Sequence, residues 1–469
     1  MLTKVLSNIC GGIMIKKNEE YITKIQSFTN EGFGVAKIDG FAVFVPYSVV
    51  DDEVRVKILS VKKTYAYGKI LGIITPSKHR TNAPCPHFGK CGGCSLLHID
   101  YNYQKELKKQ FVHDSFTRIG GFLDIKIEDT TGMDEPDFYR NKAVFPVGEA
   151  DGKAQIGMYA PRSHRVVPIE ECFIQNKVSV EVMKIVKEWI EKYNIPVYNE
   201  ENHTGLIRHV FTRIGDNTKE LMVSIVVNGK KIKHSDKLVQ MLASADLSPY
   251  CLVSVMQNIN TKKGNVILGD ESVCLYGREY IHDSIGDLKF QISNGAFYQV
   301  NPKITKLLYE KALELCDLKG DETVFDLYCG IGTISLFLAK HAKKVIGVEI
   351  VPQAVEDAKA NAKLNNIENV QFYTGEAENV VPKLYEEGIK ADVVVVDPPR
   401  KGCDRKLLDT IVKMNPQKIV YVSCDSATLA RDAKILSEHG FYPEKVFPFD
   451  QFPHTAHVEC VVLMSRVDK

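Results

Sequence analysis

The chain has 469 residues, of which 44 % are hydrophobic and 25 % are charged, and its formal net charge is +1. This length predicts about three domains, and the composition is typical of a globular protein rather than of a disordered one. A net charge this small excludes a general attraction to polyanions, so any affinity for nucleic acid has to come from local basic patches.

The sequence shows no sign of a membrane or secreted protein. No apolar run approaches the roughly 20 residues that a membrane-spanning helix needs. The opening Met1-Leu-Thr-Lys lacks the features of a signal peptide, although Met1 and Met14 are both possible translation starts. The twelve cysteines are not spaced as a disulfide framework. We therefore predict a cytoplasmic protein, without membrane contact, that is a monomer with no obligate protein partner.

Short runs of alternating apolar and polar residues, broken by glycines, predict a small β-barrel near the start of the chain. The predicted strands are Tyr21 to Phe28, Gly34 to Ile38, Phe41 to Pro46, Glu53 to Val61 and Ala66 to Ile73. The segments that begin at Glu31, Gly40 and Asp52 resemble, in this order, the TRAM domain. That resemblance implies an RNA-binding module with an OB-like barrel, which we place at residues 1–76.

Residues 54–80 form a basic tract without one acidic residue. Tyr65 and Tyr67 lie inside it. Basic side chains can neutralise phosphates and tyrosine rings can stack on unpaired bases, a combination suited to RNA. A solvated basic face without a ligand is the alternative interpretation. The basic residues are Arg55, Lys57, Lys62, Lys63, Lys69, Lys78 and Arg80.

Two further domains are predicted after the barrel. Residues 77–285 hold a charged helix, Gln104 to Ile119, followed by strands and hairpins that include Leu221 to Val227 and Leu252 to Ile259, an α+β pattern. Residues 286–469 alternate regularly between strands and helices, which predicts a mostly parallel, doubly wound, Rossmann-like sheet. The fold class is thus α/β in this last domain, with the barrel and a central α+β domain before it. The strands are expected at Thr323 to Leu327, Lys344 to Glu349, Val370 to Thr374, Asp392 to Asp397 and Lys418 to Val422.

Four cysteines have the spacing of a metal site. Cys85, Cys91 and Cys94 are spaced as C-x5-C-x2-C, and Cys172 follows at a distance. Four thiolates suit a tetrahedral site of either iron–sulfur or zinc type. A close triplet with a remote fourth cysteine favours an iron–sulfur cluster, whereas structural zinc more often binds two C-x2-C pairs.

A cofactor site is predicted where the first strand of the last domain ends. Asp326 ends this strand, and Gly330 and Gly332 form a turn before a helix, where a ligand can approach the backbone. Glu349 ends the next strand, 23 residues later, placed to accept hydrogen bonds from ribose hydroxyls. A dinucleotide-binding enzyme would usually have a third glycine or alanine at position 335, where this chain has Ser335, so nicotinamide binding is only an alternative.

Reactive groups are expected at the ends of the later strands. Asp397 and Arg400 belong to a loop stiffened by two prolines. Cys424 follows a strand and precedes a helix, whose N-terminus should favour its thiolate. A buried, inert cysteine is the alternative, and Glu459 on the last predicted strand could equally be a salt-bridged residue.

The motifs together resemble the S-adenosylmethionine-dependent RNA (uracil-5-)-methyltransferases, along nearly the whole chain. The segment Asp326-Leu-Tyr-Cys-Gly-Ile-Gly resembles their motif I, and Phe297-Tyr-Gln-Val-Asn-Pro302 resembles the segment before it. The resemblance implies that Gln299 touches the cofactor, that Tyr328 and Glu349 contact its adenosine part, and that Asp397 approaches it.

The same resemblance implies the chemistry. Cys424 would be the nucleophile, Glu459 the general base, and Cys329, Cys403 and Cys460 packing residues. His454 and His457 either orient the substrate or have structural roles.

The cysteine spacing matches the [4Fe-4S] site of the 23S rRNA enzymes and differs from the C-x3-C-x2-C of radical enzymes. We therefore expect the protein to bind RNA, and we expect its substrate to be 23S rRNA. Methylation of tRNA, or a non-catalytic role as an RNA-binding assembly factor, are the alternatives.

Overall fold

The computed structural model describes residues 15–466, so Met1 and Met14 lie outside the described residues. The described chain forms two compact units. The first contains residues 15–84, 94–107 and 454–456, and the second contains residues 85–93, 108–453 and 457–466. Within 15–466, every helix is too short or too polar to span a lipid bilayer. The three-domain division stays a prediction.

The first unit contains a closed barrel of five strands, as predicted. On the fourth strand, Val54, Val56 and Ile58 are fully buried, whereas Arg55 and Leu59 are exposed. The alternation arises because successive side chains of a strand face opposite sides. The strands are β1 (Glu20–Phe28), β2 (Phe33–Ile38), β3 (Phe41–Pro46), β4 (Glu53–Val61) and β5 (Tyr65–Thr75). They are hydrogen-bonded in the order β1-β2-β3-β5-β4, with β1 pairing β4 to close the barrel, and only β3 and β5 are parallel.

Helix α1 (Tyr101–Ser115) is followed by a π-helical turn, Phe116–Gly120, and by the short strand β6 (Lys126–Ile127). The predicted helix therefore begins three residues earlier than expected and changes its geometry before its predicted end. Gly121, in the left-handed conformation at φ 80°, ends the turn.

The second unit contains a sheet of seven strands. Its core contains Trp189 of α2, whose ring is fully buried and whose Nε1–H donates to the carbonyl of His234. The elements are β7 (Lys142–Ala150), β8 (Lys153–Tyr159), β9 (Val166–Pro168), α2 (Lys177–Lys192), β10 (Ile207–Ile214), β11 (Glu220–Val227), α3 (Ser235–Ser244), β12 (Cys251–Ile259) and β13 (Glu271–Gly277), with strand order β13-β12-β11-β10-β7-β8-β9. The two strands predicted here, β11 and β12, are parallel neighbours joined through α3 and not a hairpin.

A two-stranded hairpin leads to the last sheet. Val393 to Val396 are almost fully buried, as expected for a parallel strand covered on both faces. The elements are β14 (Tyr280–Ile285), β15 (Leu288–Ser293), α4 (Pro302–Cys316), β16 (Thr323–Leu327), α5 (Thr333–Ala339), β17 (Lys344–Glu349), α6 (Pro352–Leu364), β18 (Val370–Thr374), α7 (Ala377–Glu386), β19 (Val393–Val396), α8 (Arg405–Met414), β20 (Lys418–Ser423), α9 (Ser426–Ser437), β21 (Phe441–Phe449) and β22 (Glu459–Arg466).

The last sheet has eight strands in the order β18-β17-β16-β19-β20-β22-β21-β6. The five strands from β18 to β20 are parallel, and β22 is antiparallel to both of its neighbours. The prediction of a mostly parallel, Rossmann-like sheet is confirmed. The order reverses between β16 and β19, and a crevice forms outside the carboxyl ends of strands at such a reversal.

Candidate active site

A cavity of about 590 Å³ lies where the chain leaves β16, β17, β19 and β20. Most residues predicted to form a site line this one cavity. Asp326 and Gly332 do not line it. The predicted residues in its lining are Gln299, Tyr328, Gly330, Glu349, Asp397, Arg400, Cys424 and Glu459.

The turn after β16 exposes backbone to the cavity. Tyr328, Gly330 and Gly332 all have positive φ, at 66°, 54° and 81°. A Cβ added at Gly330 would meet no atom within 4 Å, whereas one at Gly332 would lie 3.2 Å from Ala358 Cβ. Glycine is therefore required at 332 by both space and backbone conformation, and at 330 it leaves room for a ligand against the main chain.

Asp326 lies beneath this turn and is fully buried. Burial raises the pKa of its carboxyl to about 7, although the Ser335 hydroxyl donates to Oδ2 and opposes the shift. The other oxygen, Oδ1, has no hydrogen-bond partner among the described residues. Asp326 thus supports the turn from below rather than facing the cavity.

Glu349 is held in place by two backbone amides. Its Oε2 accepts from Gly330 N–H at 3.1 Å, and its Oε1 accepts from Val351 N–H at 2.9 Å. These bonds link the ends of β16 and β17 and fix the orientation of the carboxylate. Each oxygen keeps a further lone pair, so the group can still accept hydrogen bonds from a ligand in the cavity.

Cys424 lies between the end of β20 and α9 and is half-buried. Burial raises the pKa of its thiol to about 11, the carboxylates of Glu459 and Asp397 add to the shift, and Arg400 opposes it. Burial and the nearby negative charges thus favour the neutral thiol, in the direction opposite to the one expected from the N-terminus of α9. The expectation about the helix stays a prediction.

Asp397 and Glu459 form an acidic pair at the same end of the cavity. Burial raises the pKa of Asp397 to about 7. Burial also raises the pKa of Glu459 to about 8, with a further contribution from Asp397 and opposition from Arg400. Groups with pKa values close to the working pH can both accept and release protons, which is what acid–base chemistry requires.

Arg400 lies close to Glu459 and next to His457, and both Arg400 and His457 are exposed to solvent. The guanidinium Nη2 lies 3.5 Å from His457 Nε2. Partial burial of the ring lowers the pKa of His457 to about 4, and the positive charges of Arg400, Lys108 and Arg140 lower it further. The imidazole is therefore neutral, and the cation at this position is Arg400.

Several cavity residues were not predicted. Phe452 and Tyr309 are aromatic walls, and Lys401 and Glu378 add charges to the rim. Phe452 precedes the predicted Glu459 by only seven residues, and its ring packs edge-on against His457. Its proximity to Glu459 in the sequence was the only signal that could have indicated it.

The remaining cysteines and histidines have different environments. Cys329, Cys403 and Cys460 are buried, consistent with packing, and Cys329 also touches the cavity. His454 is buried, and its Nδ1 lies 3.3 Å from Gln104 Nε2.

Three of the four cysteines predicted to bind a metal interact within the second unit. Burial raises the pKa of Cys91 to about 11, and the thiolates of Cys172 and Cys85 add to that shift. Cys94 belongs to the first unit. Within residues 15–466, no group of three or more His, Cys, Asp or Glu side chains is arranged to hold a metal ion, and no cysteine forms a disulfide.

Two family models match the chain. One, described as the TRAM domain, matches residues 16–71, which cover most of the barrel. The other, described as tRNA (Uracil-5-)-methyltransferase, matches residues 100–467, which include every residue that lines the cavity.

Whole-chain relatives agree with these matches. An uncharacterized RNA methyltransferase of Clostridium tetani is 50 % identical, covering 97 % of this chain and 98 % of the relative. One of Bacillus cereus, strain ATCC 10987, is 48 % identical with the same two coverages.

A solved structure has the same fold. It is the Pyrococcus abyssi tRNA (uracil-54, C5)-methyltransferase in complex with S-adenosyl-L-homocysteine, with a TM-score of 0.76 and 28 % identity over 95 % of this chain and 100 % of that chain. The chain therefore belongs to the tRNA (uracil-5-)-methyltransferase family and is an S-adenosylmethionine-dependent RNA methyltransferase with a TRAM domain.

Proposed function

We propose that this protein transfers a methyl group from S-adenosylmethionine to carbon 5 of a uridine in 23S rRNA, through a covalent adduct between Cys424 and carbon 6. The observation that carries the proposal is the placement of Cys424, Asp397 and Glu459 in one cavity, close enough for both carboxylates to raise the pKa of the thiol. A nucleophile and two titratable acids at one point fit covalent catalysis with proton transfer.

Carbon 5 of uracil is too weak a nucleophile to attack a methyl group unaided. Addition of the Cys424 thiolate to carbon 6 forms a carbon–sulfur bond and moves the ring electrons to carbon 5 and the adjoining carbonyl as an enolate. The bound cofactor supplies an electrophilic methyl group, which carbon 5 takes while the sulfonium receives the electron pair of the broken bond.

Glu459 then completes the reaction. Its carboxylate takes the proton from carbon 5, and the electrons of that bond reform the ring double bond as the thiolate leaves carbon 6. The base must be ionised for this step. The pKa of Glu459, which is raised to about 8, should fall when a positively charged sulfonium binds nearby, because an opposite charge favours the ionised form.

Arg400 would act at the start of the cycle, when the thiolate of Cys424 forms. It is the one group that lowers the pKa values of both Cys424 and Glu459 in the described structure. We propose that its guanidinium stabilises the thiolate before attack and the enolate oxygen after it, as a positive charge close to both groups.

The cofactor would occupy the other end of the cavity. Gly330 leaves open space, and Glu349 has a fixed carboxylate for the ribose hydroxyls. The proposed cofactor-binding residues are Gln299, Asp326, Tyr328, Gly330, Gly332, Glu349 and Asp397, with Asp326 and Gly332 acting by supporting the turn.

We also propose that Cys85, Cys91, Cys94 and Cys172 hold a [4Fe-4S] cluster. Support comes from their spacing and from the closeness of Cys85 and Cys172 to Cys91, whose pKa both raise. The described side chains are not arranged as a metal-binding group, so the proposal depends chiefly on the sequence. Four protein ligands leave no open iron, so the cluster would be structural. Anaerobic purification should give about four irons per chain and broad visible absorption, and stoichiometric zinc without iron would contradict this assignment.

The RNA class separates two candidate functions. The cysteine spacing favours 23S rRNA, whereas the similar solved structure is a tRNA enzyme. Its match covers 95 % of this chain, so the barrel alone does not distinguish the two substrates. In either RNA the base has to leave its stack to expose carbon 6.

The test is methyl transfer from labelled S-adenosylmethionine to separated 23S rRNA and tRNA, followed by mapping of the modified base. Label in 23S rRNA as 5-methyluridine is the expected result, and label in tRNA alone would select the second candidate. Binding of RNA without any transfer would indicate a non-catalytic assembly factor instead. Cys424→Ser protein is the inactive control.

A further inference from the structure

The buried amide of Gln451 lies between the hydroxyl of Thr305 and the side chain of Gln299. It lies in the segment between β21 and β22 and has no exposure to solvent. Its Nε2 lies 2.9 Å from Thr305 Oγ1 and 3.2 Å from Gln299 Oε1. The amide therefore joins the first turns of α4 to the side chain of Gln299, which lines the cavity.

The direction of these hydrogen bonds follows from the Thr305 hydroxyl. Its single hydrogen is donated to the carbonyl of Asn301 at 2.7 Å, so Oγ1 can only accept from Gln451. The atom of Gln451 that faces Thr305 must therefore be the amide nitrogen. A flipped Gln451 would set its oxygen against a lone pair of the hydroxyl, which is repulsive.

The same nitrogen decides how Gln299 points. Because Gln451 Nε2 is a donor, the atom of Gln299 beside it must be the oxygen. The Gln299 amide is thereby held with its NH₂ group on the other side. No acceptor among the described residues bonds to that nitrogen, so its two N–H groups are available to a ligand.

We propose that Gln451 and Thr305 are positioning residues, which hold the NH₂ group of Gln299 toward the cavity to donate to the carboxylate of S-adenosylmethionine. This inference rests on the proposed function, which places the cofactor beside Gln299. A donor fixed before binding loses little rotational freedom when the ligand arrives. A carboxylate is the acceptor that gains most from it, because hydrogen bonds to charged groups are the stronger ones.

The backbone around Gln451 is anchored separately from its side chain. Asn301 Nδ2 donates to the Gln451 carbonyl at 3.3 Å. The neighbouring Asp450 N–H donates to the carbonyl of Thr131 at 2.7 Å. Removing only the amide of Gln451 should therefore leave the segment in place while freeing Gln299 to rotate.

The experiment measures binding of S-adenosylhomocysteine to the full chain by calorimetry, without RNA and without turnover. Gln451→Leu, which keeps the volume and removes the donor, should weaken binding by about three- to tenfold, the range of one lost hydrogen bond. Thr305→Val should weaken it by a smaller factor, because Gln451 is then free to flip. Thr305→Ser retains the hydroxyl and should bind as the wild type does.

A double variant separates positioning from general damage. Gln299→Ala should weaken binding, and Gln451→Leu added to it should cause no further loss, because Gln451 acts only through Gln299. Additive losses in this cycle would overturn the proposal. If Gln451→Leu does not fold, the contrast between Thr305→Val and Thr305→Ser decides, and equal affinities of these two would also overturn it.

The outcomes distinguish this inference from the proposed function. Wild-type protein that does not bind S-adenosylhomocysteine, or Gln299→Ala with unchanged affinity, would refute the proposed cofactor placement and the inference with it. If Gln299→Ala binds S-adenosylhomocysteine more weakly and Gln451→Leu binds it as tightly as the wild type, only the positioning role is refuted.

Discussion

Lys108 and Asp450 form a salt bridge in which neither side chain has any exposure to solvent. The Lys108 Nζ also donates to the carbonyl of Phe452 at 3.1 Å, so one ammonium anchors the segment that brings Phe452 to the cavity. Burial lowers the pKa of Lys108, and the Asp450 carboxylate opposes that shift. Asp450 Oδ2 has no hydrogen-bond partner among the described residues, so this pair should be sensitive to the loss of either member.

Lys108→Met should lower the free energy of unfolding by about 3–5 kcal/mol, because it leaves the Asp450 charge buried without a partner. Lys108→Met combined with Asp450→Leu should cost much less, since both charges are then removed. Denaturant unfolding, followed by fluorescence, gives both values. A double variant as unstable as the single one would show that packing, and not the unpaired charge, causes the loss.

Substitutions of Cys424 and of Glu459 should block different stages of one covalent cycle. Cys424→Ala should form no adduct and no product, whereas Glu459→Gln should accumulate a protein–RNA adduct, because no base removes the carbon 5 proton. Denaturing gels of each variant with substrate RNA make the measurement. Cys316→Ala, which alters a buried cysteine at the end of α4 and outside the cavity, is the matched control and should turn over normally. An adduct formed by Cys424→Ala would mean that another residue is the nucleophile.

Glu459 should make stability depend on pH in a defined direction. Its folded pKa of about 8 lies above the ordinary value of 4.5, so the folded state favours the protonated form. The stabilisation from that preference is complete below pH 4.5 and is lost as the pH rises through about 8. Glu459→Gln should therefore be more stable than the wild type at pH 9 by about 2–4 kcal/mol and similar to it at pH 5. Thermal unfolding at the two pH values checks this, and an equal gain at both would place the effect outside ionisation.

Glu349→Ala should reduce the affinity for S-adenosylmethionine by about 1–3 kcal/mol, because a charged acceptor for bound hydroxyls is lost. Part of the loss should come from the turn, since Gly330 N–H loses its acceptor as well. Calorimetric titration measures the affinity. Glu356→Ala removes an exposed carboxylate on α6 that pairs with Lys359 and serves as the control. An unchanged dissociation constant for Glu349→Ala would place the ribose elsewhere.

Lys69→Glu should have opposite effects on the stability of the protein and on RNA binding. Lys69 lies directly across from Lys57 in the antiparallel pair of β4 and β5, and like charges in that position repel. The substitution should stabilise the protein by roughly 0.2–1 kcal/mol. It should also weaken RNA binding and reduce its salt dependence, if this face contacts phosphates. Lys69→Gln is the intermediate control. Unchanged RNA affinity in both variants would show that this part of the basic tract faces solvent and does not contact RNA.

The strands of the last sheet could be predicted closely because their signal is local. Thr323 to Leu327, Lys344 to Glu349 and Val370 to Thr374 have the predicted bounds, since short apolar runs between helical segments are typical of buried parallel strands. The pairing of β11 with β12 was missed because periodicity shows that a strand exists but not which strand lies beside it.

The environment of the site residues was harder to predict than their identity. The elevated pKa of Cys424 depends on Asp397 and Glu459, which are 27 residues before it and 35 residues after it. A local motif cannot show the sum of burial and distant charges. The contacts of Lys108 and Gln451 were missed for the same reason, because their partners lie up to 344 residues away.

The barrel of the first unit is closed, and every strand has two hydrogen-bonded neighbours, because β1 pairs with β4 and β3 pairs with β5. The ladder between β3 and β5 is short: it joins Ala42–Phe44 to Tyr65–Tyr67, whereas β5 pairs with β4 as far as Thr75. A peptide or a second chain that added a strand to this barrel would therefore have to pair beside the later part of β5. Elsewhere on the barrel recognition depends on side chains, so single substitutions on its surface should change recognition without disturbing the fold.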